Sequence, residues 1–168
     1  MRTYYHDQNV LITSTAIRVG DRHFALDQLD ELSRYLQEQA NQLATVDASQ
    51  VVAAFGDLVS DVDKRSLTGE FAEYIAATLR RSVSTGIAGW RDDDLAFLRD
   101  WGFDLGTGAP VAIWQGAQDR MVPYPHGEWL AAHWPGARVH LLPDEGHLTL
   151  VATGSDRVFA GLVELASA

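Results

Sequence analysis

Two residues in this sequence have the types and order that proton-transfer chemistry needs. Asp119 closes the run Gln115-Gly116-Ala117-Gln118-Asp119, and His147 follows Gly146 further along the chain. A histidine works as a general base near neutral pH when a second group fixes its tautomer and steadies the imidazolium that forms. A carboxylate held against one ring nitrogen does both. The other histidines, His6, His23, His126, His133 and His140, show no ligand spacing with nearby carboxylates, and the chain has no cysteine. Neither a metal site nor a cofactor is therefore expected.

The elements that must position the pair are legible around it. Val111-Ala112-Ile113-Trp114 is too short and too apolar for anything but a buried strand, of the kind found in parallel sheets. A helix-like segment covers roughly residues 126–133 and is stopped by Pro135-Gly136. A second strand, Arg138 to Leu142, ends in the turn that presents Gly146-His147. An acid after one strand and a histidine after the next share the carboxyl edge of a parallel sheet, where open α/β sheets bind ligands.

At this point the chain resembles the C-terminal part of the α/β-hydrolase family. The residues that carry the resemblance are Gly116-Ala117-Gln118-Asp119-Arg120-Met121-Val122-Pro123 and Gly146-His147. In that family the first segment carries the triad acid and the second the triad histidine, which implies catalytic roles for Asp119 and His147. The resemblance covers roughly residues 50–168 and implies a partial α/β-hydrolase fold, with cap-like helices before a strand–helix–strand–helix unit.

A triad of this type also needs a nucleophile on a strand-to-helix elbow, G-x-S-x-G, placed before the acid. No such elbow is present. The nearest match, Ser82-Val83-Ser84-Thr85-Gly86, centres on Ser84 but follows a segment, Glu70 to Arg81, that reads as a helix. Ser14 follows an apolar triplet but has bulky Ile12 where the elbow requires a small residue. The nucleophile is left unassigned, with Ser84 a weak candidate, and no oxyanion-hole loop is recognisable.

The remainder of the chain supplies the frame. Residues 9–26 are β-like, with Gly20-Asp21 between two apolar-bearing runs reading as a hairpin turn. Asp27 is placed as the N-cap of a helix whose Leu29, Leu32, Leu36 and Leu43 form one apolar stripe. Helices are predicted over residues 51–59 and 68–83. Asp92-Asp93-Asp94 is read as the charged start of a further helix, Leu95 to Trp101, and residues 155–165 as a terminal one. The expected division is an N-terminal hairpin plus helix (1–44), a cap-like helical segment (45–105) and a hydrolase-like α/β unit (106–168). By analogy with hydrolase caps, Trp90, Phe97, Trp101 and Phe103 are candidates for a substrate pocket; burial in an ordinary core is the stronger reading for aromatics at helical spacing.

Composition bounds the possible partners. The 168 residues are 46% hydrophobic and 21% charged, ordinary values for a globular chain long enough to bury a core. A net charge of −10 argues against nucleic acid and anionic membrane surfaces. The opening lacks the features of a signal peptide and no run approaches membrane-spanning length, so a cytoplasmic location is expected. The functional expectation is a truncated or fused hydrolase with a small-molecule substrate if active, and little activity alone. The alternative is a non-catalytic binding or assembly module of the same descent. Without a further βαβ unit beside it, the strand Val111 to Trp114 would present an open edge, and the isolated chain is expected to self-associate through that edge or to be only marginally folded.

Overall fold

A computed structural model describes residues 4–5, 11–12, 16–19, 22–25, 28–97 and 108–167; side chains before Phe24 are not described. Two compact units are formed, one from residues 1–56 and 68–101, the other from residues 57–67 and 102–168. The described residues make a mixed α/β structure in which helix predominates.

In the first unit, strands β1 (Tyr4–Tyr5), β2 (Leu11–Ile12), β3 (Ala16–Val19) and β4 (Arg22–Ala25) form an antiparallel sheet in sequential order. β3 and β4 pair from Ala16↔Ala25 to Val19↔Arg22, the register of the expected hairpin. Its Gly20-Asp21 turn lies outside the described residues, as do Asp27, Ser14, Trp101 and Phe103. Helix α1 (Leu29–Leu43) buries Leu32, Leu36 and Ala40, so the middle of the expected apolar stripe faces the core, while Leu29 at its start is 42% exposed. Asp30 and Glu31 sit in its first turn, where the helix dipole favours negative charge. Leu32 and Leu36 pack with Phe24, and Tyr35, Ile87, Trp90 and Leu95 close around them.

Helix α2 (Val51–Phe55) gives way to a 3-10 turn over Gly56–Leu58, where Gly56 adopts φ +55°, so the helix expected to reach residue 59 ends earlier. Helix α4 (Gly69–Ser82) occupies the expected place. Helix α5 spans Ala88–Ala96, not Leu95 to Trp101, and its acidic triplet lies inside the helix rather than at its cap. Packing decides this register. Ile87, Trp90 and Leu95 seat the helix on the Phe24 core, and that apolar contact outweighs a charged N-terminus worth at most about 1 kcal/mol.

The second unit is built on two parallel strands, β5 (Ala112–Gly116) and β6 (Arg138–Leu142), joined through helix α6 (Tyr124–His133). Their register runs from Ala112↔Arg138 to Gly116↔Leu142. A helix touches each face. On one, Trp114 stacks on its cross-strand neighbour His140, with ring centroids 3.8 Å apart, and Gly161 of helix α8 (Ser155–Ala166) lies against the indole. On the other, Gly127 of α6 sits so close to Gln115 that a β-carbon there would lie 2.7 Å from the Gln115 side chain.

Two short helices complete this unit, α3 (Asp61–Ser66) and α7 (Thr149–Ala152). Neither was expected from the sequence. Helix α3 is nucleated by a capping box in which Ser60 and Asp63 satisfy each other's backbone N–H groups.

Candidate functional site

Asp119 lies in the loop directly after β5, and local chemistry fixes its side chain. Oδ1 accepts the backbone N–H groups of Met121 and Val122, both at 2.8 Å, which folds the loop over the carboxylate as an Asx turn. Oδ2 accepts the Gln115 side-chain amide at 3.1 Å. That amide also donates to the Val122 carbonyl at 2.9 Å, so Gln115 ties the strand, the acid and the returning loop together. With four donors converging on it, the Asp119 side chain retains only 3% of its exposure.

The fourth donor is His147. Its Nδ1 lies 2.9 Å from Asp119 Oδ2, across 28 residues of sequence. With the carboxylate already accepting three N–H groups, Nδ1 carries the proton and Nε2 is left with its lone pair. The His147 side chain is 39% exposed, and among the described residues Asp119 is the only group hydrogen-bonded to its ring. The hydrogen bond to Asp119 raises the histidine pKa above its ordinary value. Burial pulls the other way, and the negative charges of Asp119 and Asp63 add to the rise.

The histidine turn is brought against the acid loop by backbone contact. Gln118 N–H donates to the Glu145 carbonyl at 2.9 Å and Ala117 N–H to the Leu142 carbonyl at 2.8 Å. At the end of β5, Gly116 faces the Glu145 and Gly146 carbonyls so closely that a β-carbon would collide with both. The glycine is required by close approach of two backbones, not by an unusual φ. Beyond the turn, Gly146 N–H donates to Thr149 Oγ1 at 2.8 Å. Hydrogen bonding from Thr149 and the Arg157 guanidinium hold Glu145 below the usual carboxylate range, against the effect of burial.

The structure thus brings Asp119 and His147 together, entirely within the second unit. Ser84 lies in the first unit, in the turn after α4, and its hydroxyl donates to the Arg81 carbonyl at 2.8 Å. The residues before it are helical, so no strand-to-helix elbow presents it. Trp90 and Phe97 also belong to the first unit. Trp90 is partly buried against the Phe24 core and lines a shallow cavity of about 330 Å³ with Ser82, Val83, Gly86, Gly89 and Asp93. Phe97 is 49% exposed.

Sequence reasoning missed Gln115 and Asp63. Gln115 is a polar residue in an otherwise apolar strand, and a buried amide there requires partners. Asp63 was announced by Ser60-Asp61-Val62-Asp63, the spacing of a capping box. Its carboxylate is fully buried and receives the backbone N–H groups of His147, Leu148 and Thr149.

Compared with known protein families, curated proteins and solved structures, the chain finds no match. Among the described residues, no helix is long and apolar enough to cross a membrane.

Proposed function

We propose that this is an α/β-hydrolase-like protein that keeps the acid and the general-base histidine of a hydrolytic triad and has little hydrolytic activity alone. The observation that carries the reading is the 2.9 Å contact between His147 Nδ1 and a nearly inaccessible Asp119 carboxylate, placed after successive parallel strands. A merely structural ion pair has no need of a buried acid aimed at a half-exposed imidazole.

In this reading, neutral His147 accepts a proton at Nε2 from an attacking hydroxyl or water, while Asp119 stabilises the imidazolium through Nδ1. The same proton then passes to the leaving group of an ester, amide or related bond. A nucleophile other than water would come from a partner chain or from a serine that the sequence motifs do not single out. The second reading, a non-catalytic binding or assembly module, is favoured by one observation: no described hydroxyl is hydrogen-bonded to the His147 ring.

Aryl-ester hydrolysis by the purified chain tests both. The expected result is a slow rate, indifferent to Ser84→Ala and reduced to the buffer level by His147→Ala. A wild-type rate no higher than that of His147→Ala would favour the non-catalytic module. A fast rate abolished by replacing one serine would overturn the missing nucleophile.

A further inference from the structure

We propose that Asp63 is a positioning residue for the acid–histidine pair: its buried carboxylate fixes the backbone turn that aims the His147 ring at Asp119. The inference rests on the reading of Asp119 and His147 as a hydrolytic pair.

The geometry is specific. Asp63 has no exposed surface. Its Oδ2 accepts the Ser60 hydroxyl at 2.7 Å, the Ser60 N–H at 3.4 Å and the His147 N–H at 3.2 Å. Its Oδ1 accepts the Leu148 N–H at 2.8 Å and the Thr149 N–H at 3.2 Å. Three consecutive amides, 84 to 86 residues away in sequence, thus converge on one carboxylate, and the first is the histidine's own.

Capping helix α3 explains only the two Ser60 contacts, and an exposed carboxylate does that equally well. Burying a charge is costly unless it is fully hydrogen-bonded, and here the partners that repay the burial are those of the histidine turn. Access is built into the turn as well, because a β-carbon at Gly146 would collide with both Asp63 oxygens. Held from one side by Asp63 and from the other by Gly116 and Gln118, the backbone at residue 147 has little freedom to rotate the ring away from Asp119. The charged groups around the imidazole are Asp119 from the loop after β5 and Asp63 from α3.

The experiment is NMR of the full chain, following the His147 ring titration and its low-field Nδ1 proton in wild type, Asp119→Asn, Asp63→Asn and Asp63→Glu. Asp63→Asn keeps the size of the side chain but turns a donor towards the turn's amides. The expected result is a folded variant in which the Nδ1 proton resonance is broadened or lost and the His147 acid dissociation constant rises about threefold, half a pKa unit. A folded Asp63→Asn that keeps this resonance unshifted overturns the proposal even if the pKa falls, since loss of charge alone lowers the pKa without moving the ring. If Asp63→Asn does not fold, Asp63→Glu replaces it, because it keeps the charge and moves the carboxylate relative to the turn's three amides; the Nδ1 resonance is then the readout, its loss expected and its persistence unshifted overturning the proposal. Asp119→Asn separates the layers. If it leaves the titration and the resonance unchanged, the pair reading itself fails. If it changes both while the Asp63 variant changes neither, only the positioning role falls.

Discussion

His147 Nδ1 and Asp119 Oδ2 lie 2.9 Å apart although the carboxylate is almost inaccessible and the imidazole is 39% exposed. The asymmetry means that solvent reaches the imidazole but not the carboxylate that holds it. It also sets the sign of a pH effect. The folded-state pKa of His147 is raised, first by the hydrogen bond to Asp119. The pair's contribution to stability is therefore complete below the unfolded histidine value of about 6.5 and is lost as pH rises through the higher folded value. Denaturation of wild type and Asp119→Asn across that range should show a stability difference that is larger on the acid side and smaller on the alkaline side, where only the loss of the other contacts to the carboxylate remains. Any general-base rate should rise with pH through the same folded pKa, since the neutral imidazole is the active form.

Replacing Gln115 should loosen the acid without touching the histidine. Gln115→Leu removes the amide that donates to Asp119 and to the Val122 carbonyl, and leaves that half-buried carbonyl without its donor. The expected loss is about 1–3 kcal/mol of unfolding free energy, read from urea denaturation, with a lowered His147 pKa as Asp119 gains freedom.

Gly116→Ala tests the backbone contact between the two loops. The added methyl group meets the Glu145 and Gly146 carbonyls, neither of which can yield without moving the histidine turn. A destabilisation of roughly 1–3 kcal/mol is expected, together with loss of the low-field Nδ1 proton. Gly136→Ala is a different case, strained by φ +77° but with open space around it, and should leave that proton in place.

Asp94 is a liability of the first unit. Burial, and then the charge of Asp93, push its pKa to about 6, and Oδ2 is buried without a hydrogen-bond partner among the described residues. Because the folded state holds this proton more tightly, stability should fall as pH rises from the ordinary carboxyl value to about 6. Asp94→Asn should raise stability above that pH by about 1–2 kcal/mol, allowing for solvent screening of a half-exposed group. A thermal midpoint measured at neutral pH checks the sign.

Self-association is the fifth expected property. Among the described residues β5 pairs only with β6, leaving its other edge without a strand. Phe159, Leu162 and Val163, spaced to share one face of α8, are 64%, 47% and 67% exposed. A second copy pairing at this edge would supply the missing strand, and the exposed apolar face of α8 offers a second contact surface. Light scattering should give a mass that rises with concentration, and Phe159→Asp should reduce it. A monomer at all concentrations would reject the dimer.

The pair and its immediate frame were legible in the sequence because they depend on short-range signals. Val111-Ala112-Ile113-Trp114 could only be a buried strand, Pro135-Gly136 ended the intervening helix, and Arg138 to Leu142 followed as the next strand, so Asp119 and His147 had to share one sheet edge. Tertiary structure decided what holds them there. Helix α3 has six residues, too few for apolar periodicity to register, and Asp63 meets the histidine turn only across more than 80 residues of chain. Gln115 finds Asp119 and Val122 only once the loop has folded back over the strand end. The acidic triplet that looked like a helix start became a helix interior because burying Trp90 and Leu95 against Phe24 outweighed the dipole's preference for charge. Apolar patterning along the chain selects which segments form strands and helices, whereas the partners of a buried carboxylate are chosen only when distant backbone amides are packed against it.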